Sequence, residues 1–195
     1  MKLRFFGVSC ALALCTLMAK AQNSGGLYLN PIVTRASNSV ADSGPFAFLG
    51  QNKTSGIFGG VDLGGYVDFF QAGPLKGGLD FREEIEHANG ASLDSFLLGL
   101  RLVHTSPTSK WRPYLQPAFG EGRTKPELSD VHKTKFGYAI SAGADYPLGR
   151  RVDFRAIEIG YGSVTTVSSS QFNSSPSVPA AKLINFSTGF VFRIP

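Results

Sequence analysis

The stretch from 136 to 161, FGYAISAGADYPLGRRVDFRAIEIGY, constrains the fold more than any other part of the chain. Phe136, Tyr138, Ile140, Ala142, Ala144 and Tyr146 alternate with Gly137, Ala139, Ser141, Gly143 and Asp145. Strict alternation puts each set on its own face of an extended strand. Residues 147–151, Pro-Leu-Gly-Arg-Arg, form a short turn, and a second strand follows at once. The first strand runs about ten residues, against a mode of about 5–6 in soluble proteins. In water its apolar, aromatic face would need a covering layer. In a bilayer it needs none, and the small or charged face can line a barrel interior.

The same alternation recurs along the chain and predicts eight strands. The first covers 26–36, with Leu27, Leu29 and Val33 outward. The second covers 56–70, where Ile57, Val61, Leu63, Val67 and Phe69 oppose Gly60, Asp62, Gly64, Tyr66 and Asp68. The third covers 75–87, with Leu79, Phe81 and Ile85 against Asp80, Arg82, Glu84 and Glu86. The fourth covers 93–104, with Phe96, Leu98, Leu100 and Leu102 outward and Arg101 inward. The fifth covers 111–124, where Leu115 and Phe119 alternate with Gln116 and Ala118, and where Pro113 and Pro117 argue against a regular ladder. The hairpin from 136 supplies the sixth and seventh, and 183–194 is the eighth. In the seventh, Phe154 and Ala156 set one phase and Ile157, Ile159 and Tyr161 the other. A bulge near Ala156-Ile157 would restore one apolar face and turn both Arg155 and Glu158 inward.

Brief turns follow strands two, four and six, whereas residues 37–55, 125–134 and 165–182 make longer loops. Short turns at one end and longer loops at the other are the arrangement of an outer-membrane barrel. The fold class expected is therefore all-β, an eight-stranded antiparallel up-and-down transmembrane β-barrel. Phe69, Phe70, Trp111, Tyr114, Tyr146, Phe154 and Phe192 gather towards the turn end and are expected to form an interface girdle. The long loops are polar and rich in Ser, Asn and Gly, with little to fix one conformation.

Residues 1–21 read as a cleaved secretory signal peptide. Lys2 and Arg4 precede an apolar run, and Ala19-Lys20-Ala21 forms an A-x-A site, so the barrel domain is expected to begin at Gln22 and run to 195. The apolar run is about 15 residues, short of the ~20 that a spanning helix needs. Cys10 and Cys15 both lie in this segment, so the exported chain has no disulfide and no thiolate metal site. Removing Lys2, Arg4 and Lys20 takes the formal charge from +5 to +2. The basicity belongs mostly to the export signal and gives no case for nucleic acid.

Asp62, Asp68, Asp80, Arg82, Glu84, Arg101, Asp145, Arg155, Glu158 and Arg193 all fall on inward positions. An eight-stranded barrel has an interior just wide enough for side chains to fill it. A narrow pore, a proton path and a salt-bridged plug are all open to such a set, and the narrow interior favours the plug. His87, His104 and His132 have no ligand spacing, so no metal site is expected. His104-Thr105-Ser106 could suggest a lipid hydrolase, but no acid is placed to orient the histidine, and no G-x-S-x-G or P-loop occurs. No catalytic residue and no cofactor is expected.

Several runs resemble the OmpA-like, porin-type β-barrel family. They are WRPYLQPAFG from 111, GADYPL from 143, RAIE from 155 and NFSTGFVF from 185. The resemblance covers essentially all of residues 22–195. It implies an eight-stranded barrel of the Gram-negative outer membrane, with roles that vary among members. Such barrels often end in an aromatic residue read by the insertion machinery, whereas this chain ends Arg193-Ile194-Pro195. The partners expected are outer-membrane lipid, the insertion machinery and a surface ligand engaged through the long loops. An exported lipocalin-like barrel is the first alternative, but it needs an apolar interior, into which Arg82, Arg101 and Asp145 would be costly to place.

Overall fold

The structure, a computed structural model, describes residues 24–171 and 177–194. The signal peptide expected over 1–21 and its cleavage after Ala21 lie outside the described residues. Eight strands make up most of the described chain: β1 (Ser24–Ser37), β2 (Ser55–Ala72), β3 (Leu75–Ala88), β4 (Ala91–His104), β5 (Arg112–Lys125), β6 (Lys133–Pro147), β7 (Val152–Val164) and β8 (Ala181–Ile194). Each pairs antiparallel with its neighbour in sequence, and β1 pairs with β8, so the sheet closes into a barrel with no free edge. Closure matters because hydrocarbon offers no partner to backbone N–H and C=O groups.

The strands extend one to three residues beyond most of the boundaries read from alternation, because ladder pairing continues past the last apolar residue. The connections fall into two sets. At the turn end are Gly73-Pro74, residues 105–111 and residues 148–151. At the loop end are residues 38–54, the two-residue Asn89-Gly90 turn, and residues 126–132 and 165–180. Asn89 and Gly90 both have positive φ, the requirement of a type I′ hairpin turn.

Three irregularities have local causes. Between Asp68 and Phe70 the β2–β3 register shifts, so the consecutive residues Phe69 and Phe70 are both exposed. Between Arg155 and Glu158 the β7–β8 register shifts, at the bulge that the broken alternation predicts, and both charged side chains are buried. Pro113 and Pro117 lie within β5 with their rings outward, and the β4–β5 ladder skips from Gly99↔Ala118 to Leu102↔Leu115. A proline offers no N–H, so the ladder gap falls where one sits.

The outer face is apolar around the whole barrel. Leu29, Val33, Leu98, Leu100, Leu115, Phe119, Ile140, Ile159, Phe186 and Phe190 all point outward. The inner face has two layers. From the turn end to past mid-height it carries the charged residues, interspersed with Ile32, Leu97, Val103 and Val191. Towards the loop end it becomes apolar, with Ala36, Phe58, Ala91, Leu93, Val164, Ala181 and Leu183 in one cluster.

Leu98 and Ile140 sit centrally on β4 and β6. Leu98→Arg and Ile140→Arg are expected to destabilise the barrel in a bilayer by about 2–4 kcal/mol each. Gly143→Ala acts from within, since its Cβ would meet the Tyr114 hydroxyl at 2.5 Å and the Ile157 carbonyl oxygen at 2.8 Å. Urea titration in lipid vesicles measures all three, and arginine tolerated at both 98 and 140 would overturn the face assignment.

Candidate functional site: a charged interior under a loop-built cap

Three tyrosines frame the interior. Each lies across a strand pair on a glycine: Tyr66 on Gly26, Tyr28 on Gly64 and Tyr114 on Gly143. Only hydrogen at those positions leaves room for the rings. Arginines then stack on the tyrosine faces. The Arg101 guanidinium lies 3.9 Å from the Tyr66 centroid and 4.8 Å from that of Tyr114. Arg155 lies 4.5 Å from Tyr28 and 4.9 Å from Tyr114. Such contacts are stronger where water is excluded.

The carboxylates complete a continuous line of alternating charge. Arg101 meets Asp145 at 2.7 Å and Asp68 at 3.7 Å. Asp145 also accepts from Arg155 Nε at 3.1 Å, and Arg155 reaches Glu158 at 3.3 Å. Glu158 takes a two-pronged contact from Arg82, at 2.6 and 3.1 Å, and also accepts the Tyr114 hydroxyl. Arg82 lies 3.6 Å from both Asp62 and Glu84. Two acids are held by neutral donors instead. Asp80 accepts from the Tyr28 hydroxyl at 2.9 Å and from the Gln116 amide, and Glu86 accepts from the Thr34 hydroxyl at 2.9 Å. Arg82, Arg155, Asp62, Asp80, Glu84, Arg101, Asp145 and Glu158 are all buried.

One expected placement is refined and one is corrected. Arg193 lines the interior cavity, but at its open end. Its side chain is 25 % exposed at the turn-end mouth, where it meets Asp153 at 3.1 Å, and Arg112 approaches the same carboxylate at 3.0 Å. Arg193 lies one residue from the end of β8, too near the end of the strand for the barrel to enclose it. Tyr114 does not belong to the girdle. It is 4 % exposed and points inward, because Leu115 takes the outward position and neighbours on a strand face opposite ways. Phe69, Phe70, Trp111 and Phe192 are exposed on the outer surface at the turn end. Tyr146 packs against Trp111 at 5.1 Å, and Phe154 against Phe190 at 5.7 Å.

At the turn end the interior opens into a cavity of about 430 Å³. Its lining includes Lys76, Lys110, Arg112 and Asp153, and it reaches inward to Tyr66, Arg101 and Asp145. Here too are His104, which is exposed, and Ser106, whose hydroxyl pairs with that of Thr108 at 2.9 Å.

The described loop residues cover the loop end. The expectation of long loops with little to fix one conformation does not hold for the described residues. Loop 38–54 turns inward and buries Ala47, Phe48 and Leu49, with Phe48 stacked on Phe58 at 5.0 Å. Asp42 fastens it: one carboxylate oxygen accepts from the Gly44 N–H, and the other accepts from the Ser169 N–H at 2.7 Å. The Ser169 hydroxyl accepts from the Phe46 N–H in return. Val167 is buried beside them and donates its N–H to Thr124 Oγ1 at 2.9 Å. The signal in the sequence was the apolar Phe46-Ala47-Phe48-Leu49 run inside an otherwise polar loop. Among the described residues no group of three or more His, Cys, Asp or Glu is placed to hold a metal ion.

A family model for the outer membrane protein beta-barrel domain matches residues 7–190. Solved structures with a similar fold include Neisserial surface protein A, at 15 % identity and a TM-score of 0.57, with 88 % of this chain and 97 % of that chain covered. They also include Ail, the attachment invasion locus protein of Yersinia pestis, at 9 % identity and a TM-score of 0.52, with 89 % and 100 % covered. At these identities the likeness is one of fold. No curated protein matches the chain.

Glu158 is the joint between Arg82 and Arg155. Glu158→Gln is expected to cost about 3–5 kcal/mol, because it leaves two buried guanidinium groups short of an anion. Arg193→Ala, at the wet mouth, is expected to cost about 1 kcal/mol or less. Equilibrium unfolding in vesicles compares them, and equal costs would refute a sealed network.

Proposed function

The chain belongs to the outer membrane protein beta-barrel family, and on that premise we propose that it is a closed outer-membrane protein whose working surface is its loop end. Short turns then face the periplasm and the loops face outward, as in barrels of this class. The single observation that carries the reading is the cap. Phe48, Leu49 and Val167 from two loops pack over the inward Phe58, Leu93, Val164 and Leu183, and the Asp42–Ser169 contact fastens one loop to the other. An apolar constriction backed by a salt-bridged filling gives ions no continuous wet path.

A rigid scaffold that presents fastened loops is a binding platform. The role proposed is structural or surface-interacting rather than catalytic. The buried apolar residues hold the loops from below, so the polar residues above them are left to contact a ligand. The partners this reading requires are lipid around the apolar outer face, the machinery that inserts barrels, and a surface ligand met by loops 38–54 and 165–180. Export by a signal peptide cleaved after Ala21 belongs to the same proposal.

In planar bilayers the intact protein is expected to give little or no steady current. Phe48→Ala with Asp42→Ala should loosen the cap and bring fluctuating openings. Shortening both long loops should leave membrane insertion intact and abolish binding to whole-cell or matrix surfaces. A large steady conductance from the intact protein, unchanged by loop shortening but altered by Arg82→Ala or Arg101→Ala, would place the function in the interior instead.

A further inference from the structure

The outer face loses its apolar character at the loop end, and it does so differently around the circumference. Over β3–β5 the outward positions there carry both signs: Glu83 and His87, Asp94, Glu121 and Arg123. Over β8, β1 and β2 the rim is basic. Arg35 is outward and exposed on β1, opposite Ile57 on β2 and Ile184 on β8. Lys182 lies two positions beyond Ile184 on the same face, and Lys53 rises from the adjoining loop. Among the described residues none of these three cations forms a salt bridge, whereas Lys125 on the other sector pairs with Asp130.

Arg35 and Lys53 also line a crevice of about 530 Å³ that runs from this sector across to the β3–β4 turn, where Ala88, Asn89 and Ala91 form its far side. Its apolar walls include Leu49, Ile57 and Phe58, and Glu127 is the one acid in its lining. Ile57 is 69 % exposed, more than any other large apolar side chain described. Below it the outward surface continues apolar through Val33 and Val61. Cations without carboxylate partners, set directly above an apolar track at the upper edge of a hydrocarbon belt, match an anionic headgroup that carries acyl chains. Guanidinium and ammonium groups are the usual phosphate binders.

We propose that this crevice binds an acylated, phosphate-bearing lipid of the outer leaflet. Its phosphate lies between Arg35 and Lys53, and an acyl chain runs down past Ile57 and Val33. The proposal rests on the reading above for the side of the membrane, because only the outward placement of the loops puts Arg35 in that leaflet. The geometry of the site itself does not depend on it.

The test uses the full mature chain folded in zwitterionic detergent micelles. Bisphosphorylated lipid A, or the same glycolipid with its phosphates removed, is titrated in, and the midpoint of thermal unfolding is followed by loss of β-structure. The phosphorylated form should raise the midpoint and the dephosphorylated form should not. Arg35→Ala with Lys53→Ala should weaken the apparent affinity by about tenfold or more, while Arg123→Ala on the mixed sector leaves it unchanged. Heat-modifiable gel mobility without lipid establishes that each variant is folded. If the double variant fails that check, Arg35→Gln alone carries the test. An equal response to both glycolipids, or a full response in the folded variant, overturns the proposal. So does a dimer in sedimentation that the double variant dissociates and lipid does not affect, since a second copy would then occupy the crevice. Labelling of a cysteine placed at Ser43 on intact cells tests the orientation separately. Failure there would sink the surface-facing reading while leaving the binding measured in micelles intact.

Discussion

The interior charge line depends on a single packing arrangement, the stacking of arginines between tyrosines seated on glycines. Bare guanidinium groups in a narrow barrel would collide with large neighbours or leave voids. Gly26, Gly64 and Gly143 remove the side chain at three points, and the rings of Tyr66, Tyr28 and Tyr114 fill the space across the ladder. The rings then hold Arg101 and Arg155 in the plane where Asp145 and Glu158 reach them. Removing one carboxylate would leave a buried cation without its counter-charge, and this is why a buried pair is costly to break although its net contribution to stability is small. The network thus specifies the barrel's filling more than it adds stability.

Much of this was legible in the sequence because β-strand parity is unforgiving. Once Leu98 or Ile140 faces lipid, every second residue is assigned, and the break of phase at Ala156-Ile157 marks the bulge that turns Arg155 and Glu158 inward together. The clearest failure comes from ignoring that rule. Height along the barrel groups Tyr114 with Trp111 and Tyr146, while its own parity with Gln116 and Ala118 points it inside. Glu86 shares the inward parity of Arg82 and Glu84 without belonging to the charge network expected, and the structure ties it to Thr34 rather than to an arginine. Parity gives a face but not a partner. Partners across the barrel depend on stagger, which alternation does not encode.

The loops depart from the expectation for a different reason. Composition averages over a segment, and residues 38–54 are mostly polar. Four consecutive apolar or aromatic residues, 46–49, decide the conformation, because the strand ends below them are apolar too. A loop folds inward when the mouth offers an apolar surface to cover. Gly44 belongs to the same device, since a Cβ there would fall 2.1 Å from the Ser169 hydroxyl.

Several strands end in apolar inward residues at the loop end. On β1 the inward series runs Asn30, Ile32, Thr34, Ala36; on β8 it runs Ser187, Asn185, Leu183; on β4 it runs Leu97, Ser95, Leu93. Glu86 and Glu84 mark the boundary, bonded to Thr34 and Asn185 just beneath the apolar layer. Water can enter from the turn-end cavity as far as Arg101 and Asp145, whereas above the boundary Phe58, Leu93, Val164 and Leu183 line the interior. The interior is therefore a blind vestibule, wet at one end and capped at the other. A barrel built this way has its charge network reachable from one side of the membrane and its loop platform from the other, with no shared solvent between them.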